Sequence, residues 1–285
     1  MYRLAPLEPI DYLIIGHLTR DLTPDGPRLG GTASYASLTA RALGLRVGIL
    51  TACEDCLSAP ELDGNGIRIV GMRSDITTTF ENIQTPTGRV QYLHSLAPTI
   101  DLSMVPEPWR NTPIVHLGPI AREVDPMLAR AFSSSFVGLT PQGWMRSWDE
   151  TGRVHFSEWP EASFVLSNSN AAVFSIEDVQ GNENIIEEMV SASRVLVVTE
   201  GDNGARVYWN GDLRRIRPPQ MSEVDPTGAG DIFAASFFFR LNATRDPWEA
   251  ARFATQLASA SVTRLGLKGV PTEEDVRASM TQIID

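Results

Sequence analysis

Short apolar runs separated by amphipathic stretches constrain this chain more than any other feature. DYLIIG (11–16), RVGILTA (46–52), GIRIVG (66–71), TPIVHLG (112–118), SFVGLT (135–140), NAAVFS (170–175) and RVLVVTEG (194–201) are each almost continuously hydrophobic. Runs of that length read as buried strands. TASYASLTARALG (32–44), VDPMLARAF, WPEASFVLSN and NENIIEEMVSA fall between them and read as helices, the first ending at Gly44 as a C′ residue. Strands without a polar face, alternating with helices, imply a largely parallel sheet covered on both sides. After residue 220 only helices follow, at 228–241, 247–266 and 272–280. The first of these is apolar on nearly all faces and should be deeply buried. The last opens on Thr272 followed by Glu273, Glu274 and Asp275, a helix-start signal. One segment departs from the pattern. DITTTFENIQTPTGRVQYLHSLA (75–97) alternates with period two around a PTG turn and reads as a β-hairpin. It should project from the sheet as a flap, either covering an edge or acting as a lid over a site.

The chain has 285 residues, 42% of them apolar, enough for one large α/β domain or two smaller ones. No apolar run approaches a membrane span, and the first residues lack the basic region and apolar core of a secretory signal. A cytoplasmic protein is the resulting expectation. The net charge of −11, without a Lys/Arg cluster, argues against nucleic acid or anionic membrane as partners. It leaves room for an anion held by the amides of a helix start. The two cysteines, Cys53 and Cys56, have a C-x-x-C spacing. Zinc would need two further ligands, and the four histidines are scattered singly, so both thiols are expected to be reduced.

DPTGAGD (225–231) leads straight into IFAASFFFRL. Pro226 stops any preceding strand, and Gly228, Ala229 and Gly230 form a turn with little side-chain bulk. A buried helix then begins with unpaired N–H groups and the positive end of its dipole facing outward. Such a turn can hold a phosphoryl group in transfer. Asp231, in the first turn, can accept a proton from an attacking hydroxyl. The same residues also suit a helix N-terminus stabilised by an acid and packed through glycines, and no Walker motif is present.

DPTGAGDIFAASF resembles the C-terminal signature of the ribokinase-like (PfkB) carbohydrate kinases, with Ser236 where a small Gly or Ala is usual. The resemblance extends over essentially the whole chain. GHLTRD (16–21) is similar to the family's first-strand motif, which gives Asp21 the role of gripping substrate hydroxyls, with His17 beside it. LGGTASYASLTARALG (29–44) resembles the N-terminal signature: Gly30 and Gly31 match, while Tyr35 stands where Asn is usual and Glu54 where Gly is usual. Its Gly-Gly-x-Ala-Ser-aromatic form is similar to myo-inositol kinases of plants. VFSIEDV (173–179) falls where the family has Asn-x-x-Glu, so Ser175 and Asp178, with Glu177 adjacent, would organise Mg²⁺ through water. A competing frame from Asn168 puts Ala171 at the acid position. On the residues alone, Ser175 caps a short helix. VVTEGDNGARVY (197–208) resembles the nucleotide site, with Thr199, Gly201 and Gly204 matching. Thr227 and, in the adenine-flanking helix, Thr255 complete that set.

The resemblance implies a ribokinase-like three-layer α/β sandwich over residues 1–285. Its central sheet would be mainly parallel, with a small β-lid built from about 17–30 and 75–97. It implies transfer of the γ-phosphate of ATP, with Mg²⁺, to a hydroxyl of a small sugar, polyol or cyclitol. Asp231 would act as base and the 228–230 turn as phosphate cradle. A monovalent cation such as K⁺ beside the turn, and a homodimer through the lid, occur in the family and stay open here. So do three other readings: a nucleoside kinase of the same fold, kept alive by Tyr35, Phe80 and Tyr92; a non-catalytic nucleotide or sugar sensor; and a vitamin-precursor kinase of the wider superfamily.

Overall fold

The computed structural model describes residues 7–54, 60–85 and 88–280. In chain order the strands are β1 (Tyr12–Ile15), β2 (Thr19–Thr23), β3 (Gly26–Gly30), β4 (Val47–Cys53), β5 (Arg68–Arg73), β6 (Thr79–Thr85), β7 (Gly88–Ser95), β8 (Ile114–Leu117), β9 (Phe136–Leu139), β10 (Arg146–Trp148), β11 (Val154–Phe156), β12 (Ala171–Ser175), β13 (Val195–Thr199), β14 (Ala205–Trp209) and β15 (Asp212–Ile216). The helices are α1 (Thr32–Ala42), α2 (Pro60–Asp63), α3 (Leu128–Ala131), α4 (Ala162–Ser167), α5 (Glu183–Ala192), α6 (Ala229–Thr244), α7 (Pro247–Ser261) and α8 (Glu273–Met280).

The large sheet has the order β15-β14-β13-β12-β9-β8-β1-β4-β5. It is parallel from β5 to β13, and β14 and β15 add an antiparallel edge. Alternate residues of each central strand feed two cores. Tyr12 and Ile14 lie under α1, α6 and α7, whereas Leu13 and Ile15 pack on the other face with Trp109, Leu166 and Ile186. This is why the strands read as unbroken apolar runs. The exception is β5, an edge strand with no fully buried residue. α6 is buried from Ile232 to Phe238, as its sequence requires. Gly44 follows α1 at φ +88°. Among the described residues no helix is long and apolar enough to cross a membrane.

The 75–97 segment forms the antiparallel pair β6–β7; Pro86 and Thr87 of its turn lie outside the described residues. It joins β2 and β3 in a separate small sheet of order β3-β2-β6-β7. Register places Arg28, Asp21, Phe80 and Leu93 in one row across that sheet, so their side chains share a face. Phe80 and Leu93 pack against Ile120 and Ala121 of the body, which turns this face inward. A short hairpin, β10–β11, was not legible in the sequence. It braces β7 through a Tyr92–Arg153 bridge and a bond from Leu93 N to Gly152 O (2.8 Å).

The expectation of two reduced thiols fails at Cys53, which ends β4 in a disulfide; Cys56 lies outside the described residues.

Candidate active site

Gly16, Thr140, Ser175 and Thr199 stand at the C-terminal ends of β1, β9, β12 and β13, along one edge of the sheet. Strand order reverses at β1, with β4 and β5 on one side and β8 onward on the other. Open α/β sheets bind ligands at such a switch point.

The N-terminus of α6 opens at this edge. Gly228 adopts φ +81° as its N-cap, and a side chain there would collide with the ring of Tyr35. The Ala229 amide closes the turn onto Pro226 O (3.2 Å). The amides of Gly228, Gly230 and Asp231 have no backbone acceptor among the described residues. The expected anion cradle of Gly228, Ala229 and Gly230 therefore shifts by one member: Ala229 is engaged, and the Asp231 amide is free to take its place. Asp225 accepts from Thr227 N (3.0 Å) and from Gly266 N (2.8 Å). Burial opposes its ionisation, but these bonds outweigh it and leave its pKa below the ordinary carboxylate value. It is thus the clamp of the loop, tying it to the segment after α7.

Asp231 is partly buried. Burial pushes its carboxyl up to about 6, and the charges of Asp178 and Asp21 add to the rise. A hydrogen bond from Thr32 and the charge of Arg146 oppose it. A carboxylate poised near neutrality beside free helix-start amides has the properties of a general base at a phosphoryl site.

The N-terminal signature lies opposite. Asp21 receives the Thr19 hydroxyl (2.9 Å), and its carboxylate covers Gly30, where a side chain would have to push it aside. Gly31 needs its glycine for φ +85° at the start of α1. Two expected contacts are placed differently. His17 is buried, and its Nε2 faces Pro98 O (3.0 Å), an obligate acceptor, so Nδ1 accepts from the Thr78 hydroxyl (2.7 Å). Both nitrogens are used within the protein, making His17 a brace between β1 and the small sheet. Tyr35 is also buried and packs with Ile232, Phe253 and Leu257 beneath the α6 turn, where it supports Gly228 rather than stacking on a ligand.

Ser175 and Asp178 form a reciprocal capping box, as their residue types alone suggested. The second Asp178 oxygen accepts from Gln142 Nε2 (2.7 Å), while Glu177 is exposed. Among the described residues no three acidic, His or Cys side chains converge on a metal position. Asp178 and Glu177 are the acids available at this end of β12 to a hydrated Mg²⁺. Thr199 ends β13, and Gly201 and Gly204 take φ +56° and +87° in the turn to β14. Thr255 is only 5% exposed inside α7, and its hydroxyl lacks a partner among the described residues.

The motifs did not point to Thr32, Gln142, Arg146 or Glu123. Thr32 was visible only as the residue after the glycine pair. Glu123 is 1% exposed and accepts from the amides of His17, Ile120 and Ala121 (2.7–3.1 Å), which locks the 119–123 loop to the end of β1. Beneath the site, Tyr12 Oη and Thr140 Oγ1 flank His116 at 2.8 and 2.9 Å. Burial drives that imidazole down to about 3, so it stays neutral.

Residues 159–274 match the pfkB family carbohydrate kinase model. The inositol 3-kinase of Zea mays is 39% identical over 113 residues, 40% of this chain and 26% of that protein. The match to the inositol 3-kinase of Oryza sativa covers 19% of that protein, so the chain spans about a quarter or less of these plant relatives. The cytidine kinase of Thermococcus kodakarensis is 24% identical over 90% of this chain and 98% of its own length. A pyrophosphate-dependent kinase in the ribokinase family, solved with a pyrophosphate analog and myo-inositol, is 20% identical. It covers 94% of this chain and 99% of its own, with a TM-score of 0.79. With the DPTGAGD turn, the nine-stranded sheet and these matches together, the chain has the ribokinase-like fold, and its residues 159–274 resemble the pfkB carbohydrate kinases.

Proposed function

We propose that the protein is an ATP-dependent kinase that phosphorylates a hydroxyl of a small neutral sugar, polyol or cyclitol. The observation that carries this reading is the pairing of Asp231, poised near pH 6, with the free amides of Gly228, Gly230 and Asp231 at one helix start. The acceptor hydroxyl gives its proton to Asp231 as its oxygen bonds to the γ-phosphorus. The bond from phosphorus to the bridging oxygen breaks, and ADP leaves. The amides and the α6 dipole take up the negative charge on the transferring group. Mg²⁺ would neutralise the donor phosphates, reached through water by Asp178 and Glu177. The small sheet acts as the lid, with Asp21 on its inner face gripping acceptor hydroxyls.

The charges of Asp178 and Asp21 both act on Asp231. Their shared negative field favours a neutral acceptor over a sugar acid or sugar phosphate. For the donor, Val224 and Leu265 are 61% and 52% exposed on the two segments that Asp225 ties together. Apolar side chains left in water beside a phosphate turn suit a nucleobase; pyrophosphate has no use for them.

The test is consumption of Mg·ATP and of Mg·pyrophosphate with myo-inositol, D-ribose, D-fructose or cytidine. ATP consumed with one of the first three supports the reading. Cytidine preferred makes the protein a nucleoside kinase, and pyrophosphate alone overturns the donor. ATP binding with no turnover of any acceptor leaves a sensor.

A further inference from the structure

Three side chains beneath the cleft form a hydrogen-bonded row that none of the motifs accounts for. Tyr12 and His116 are fully buried on the neighbouring strands β1 and β8. Tyr12 Oη lies 2.8 Å from His116 Nδ1, and Thr140 Oγ1 lies 2.9 Å from Nε2. Edge contacts with the rings of Tyr12 (6.1 Å) and Phe238 (5.0 Å) fix the imidazole plane. Thr140 follows β9 at the C-terminal edge of the sheet and is 7% exposed. Its amide donates to Leu117 O (3.0 Å). A side chain on Gly118 would come within 2.8 Å of Thr32 Cγ2 and 3.3 Å of Thr140 Oγ1. The Thr140 hydroxyl is therefore a neighbour of Thr32, the residue that holds Asp231.

The row has one direction. Burial keeps the imidazole neutral, so one ring nitrogen donates and the other accepts. Burial and the charge of Asp231 keep Tyr12 protonated. A proton on Nδ1 would oblige Tyr12 to accept it. The phenol O–H would then have no acceptor among the described residues and no access to water, which costs the full desolvation of that group. With the proton on Nε2 instead, Tyr12 donates to Nδ1 and Nε2–H donates to Thr140 Oγ1. Only the Thr140 proton is left over, at the one end of the row that reaches the cleft edge. Thr140 Oγ1 has no other partner among the described residues. Ionised carboxylates around Asp231 can only accept, whereas each hydroxyl of a polyol both gives and receives. Thr140 supplies the donor that such a site needs.

We propose that Thr140 is an acceptor-binding residue, its hydroxyl proton aimed by Tyr12 and His116 at an oxygen of the bound polyol beside Thr32. The proposal rests on the kinase reading above. Tyr12 and His116 act through Thr140 and are positioning residues.

Two measurements test it. The first is nitrogen-15 NMR of the wild type labelled at histidine, from about pH 5 to 8, with His116 identified by its NOEs to the Phe238 ring. Its Nε2 should be protonated and its Nδ1 bare throughout. A protonated Nδ1 would mean that Thr140 spends its proton on the imidazole, and overturns the proposal. The second compares wild type, Thr140→Val and Thr140→Ser in steady state, with whichever of myo-inositol, D-ribose, D-fructose and cytidine the wild type turns over fastest. In Thr140→Val the acceptor KM should rise about three- to tenfold, the scale of one neutral hydrogen bond, with the donor KM within about 1.5-fold. Thr140→Ser should stay close to wild type. A purely structural hydroxyl would lower thermal stability with the acceptor KM unchanged, or raise both KM values together; either result overturns the proposal. Should Thr140→Val fail to fold, Thr140→Cys, with a weak donor of similar size, decides: acceptor KM raised with donor KM held supports it, and both held or the donor KM raised overturns it. A wild type that turns over no acceptor overturns the kinase reading itself and is seen before any variant is compared, while the tautomer is read in either case.

Discussion

The ring of Tyr35 occupies the space that a side chain on Gly228 would need, so the N-terminal signature forms the floor of the C-terminal one. Gly228 also sits at φ +81°, a conformation that costs an ordinary residue on the order of 1–3 kcal/mol. Gly228→Ala should lower stability by about that amount and kcat by more than tenfold, because the turn amides lose their aim. Thermal melts and steady-state rates check both. A variant with wild-type kcat removes this turn from the phosphate site.

Asp231→Asn separates catalysis from stability. Loss of a general base lowers kcat by roughly 10²–10⁴. The folded carboxyl titrates near 6, above its ordinary value of 3.8, so ionisation works against the fold. That penalty appears as pH rises through about 4 and is complete above about 6. The inactive variant should therefore be more stable than wild type at pH 8, by about 1–3 kcal/mol, and should lose the advantage at pH 4. Urea melts at the two pH values measure it; equal differences at both would place Asp231 in ordinary surroundings.

Thr32→Val acts on the same carboxyl. The Thr32 hydrogen bond lowers the Asp231 pKa, so its loss moves the acid limb of the kcat/KM profile upward. Activity should fall at pH 6 and recover by pH 8. A profile that drops uniformly at all pH values would argue for a packing defect.

Arg206 tests the rim of the expected nucleotide turn. It is buried, with Nε 2.8 Å from the largely buried Glu200 and a second pair to exposed Glu183. Arg206→Met strands Glu200 with only the exposed Arg215. A loss of about 2–3 kcal/mol is expected from breaking a buried pair, read as a lower urea midpoint with an unchanged m-value.

The layered sheet was legible because β1, β4, β8, β9, β12 and β13 are buried on both faces, and burial writes itself as apolar runs. The Asp231 turn was legible because small residues stand directly before a buried helix. Arg146 and Gln142 were not, since only contacts with Ile120, Phe80 and Asp178, distant in sequence, give them meaning. His17 and Tyr35 sat in the right motifs, but the motif does not say which side of the backbone a ring will take. Thr255 shares a buried surface of α7 with Ala251, Ala254 and Ser259, which the α7 pattern of small residues foreshadows.

β2 and β3 leave the large sheet after β1 and return directly into Gly31 and Thr32. The strands that would fold over an acceptor are thus covalently continuous with the hydroxyl that holds the base. Strand β3 of the small sheet ends within two residues of Thr32, whose hydrogen bond lowers the Asp231 pKa. For the proposed kinase this continuity would let acceptor binding guard the donor against water, and ATP hydrolysis without acceptor is the quantity that weighs it.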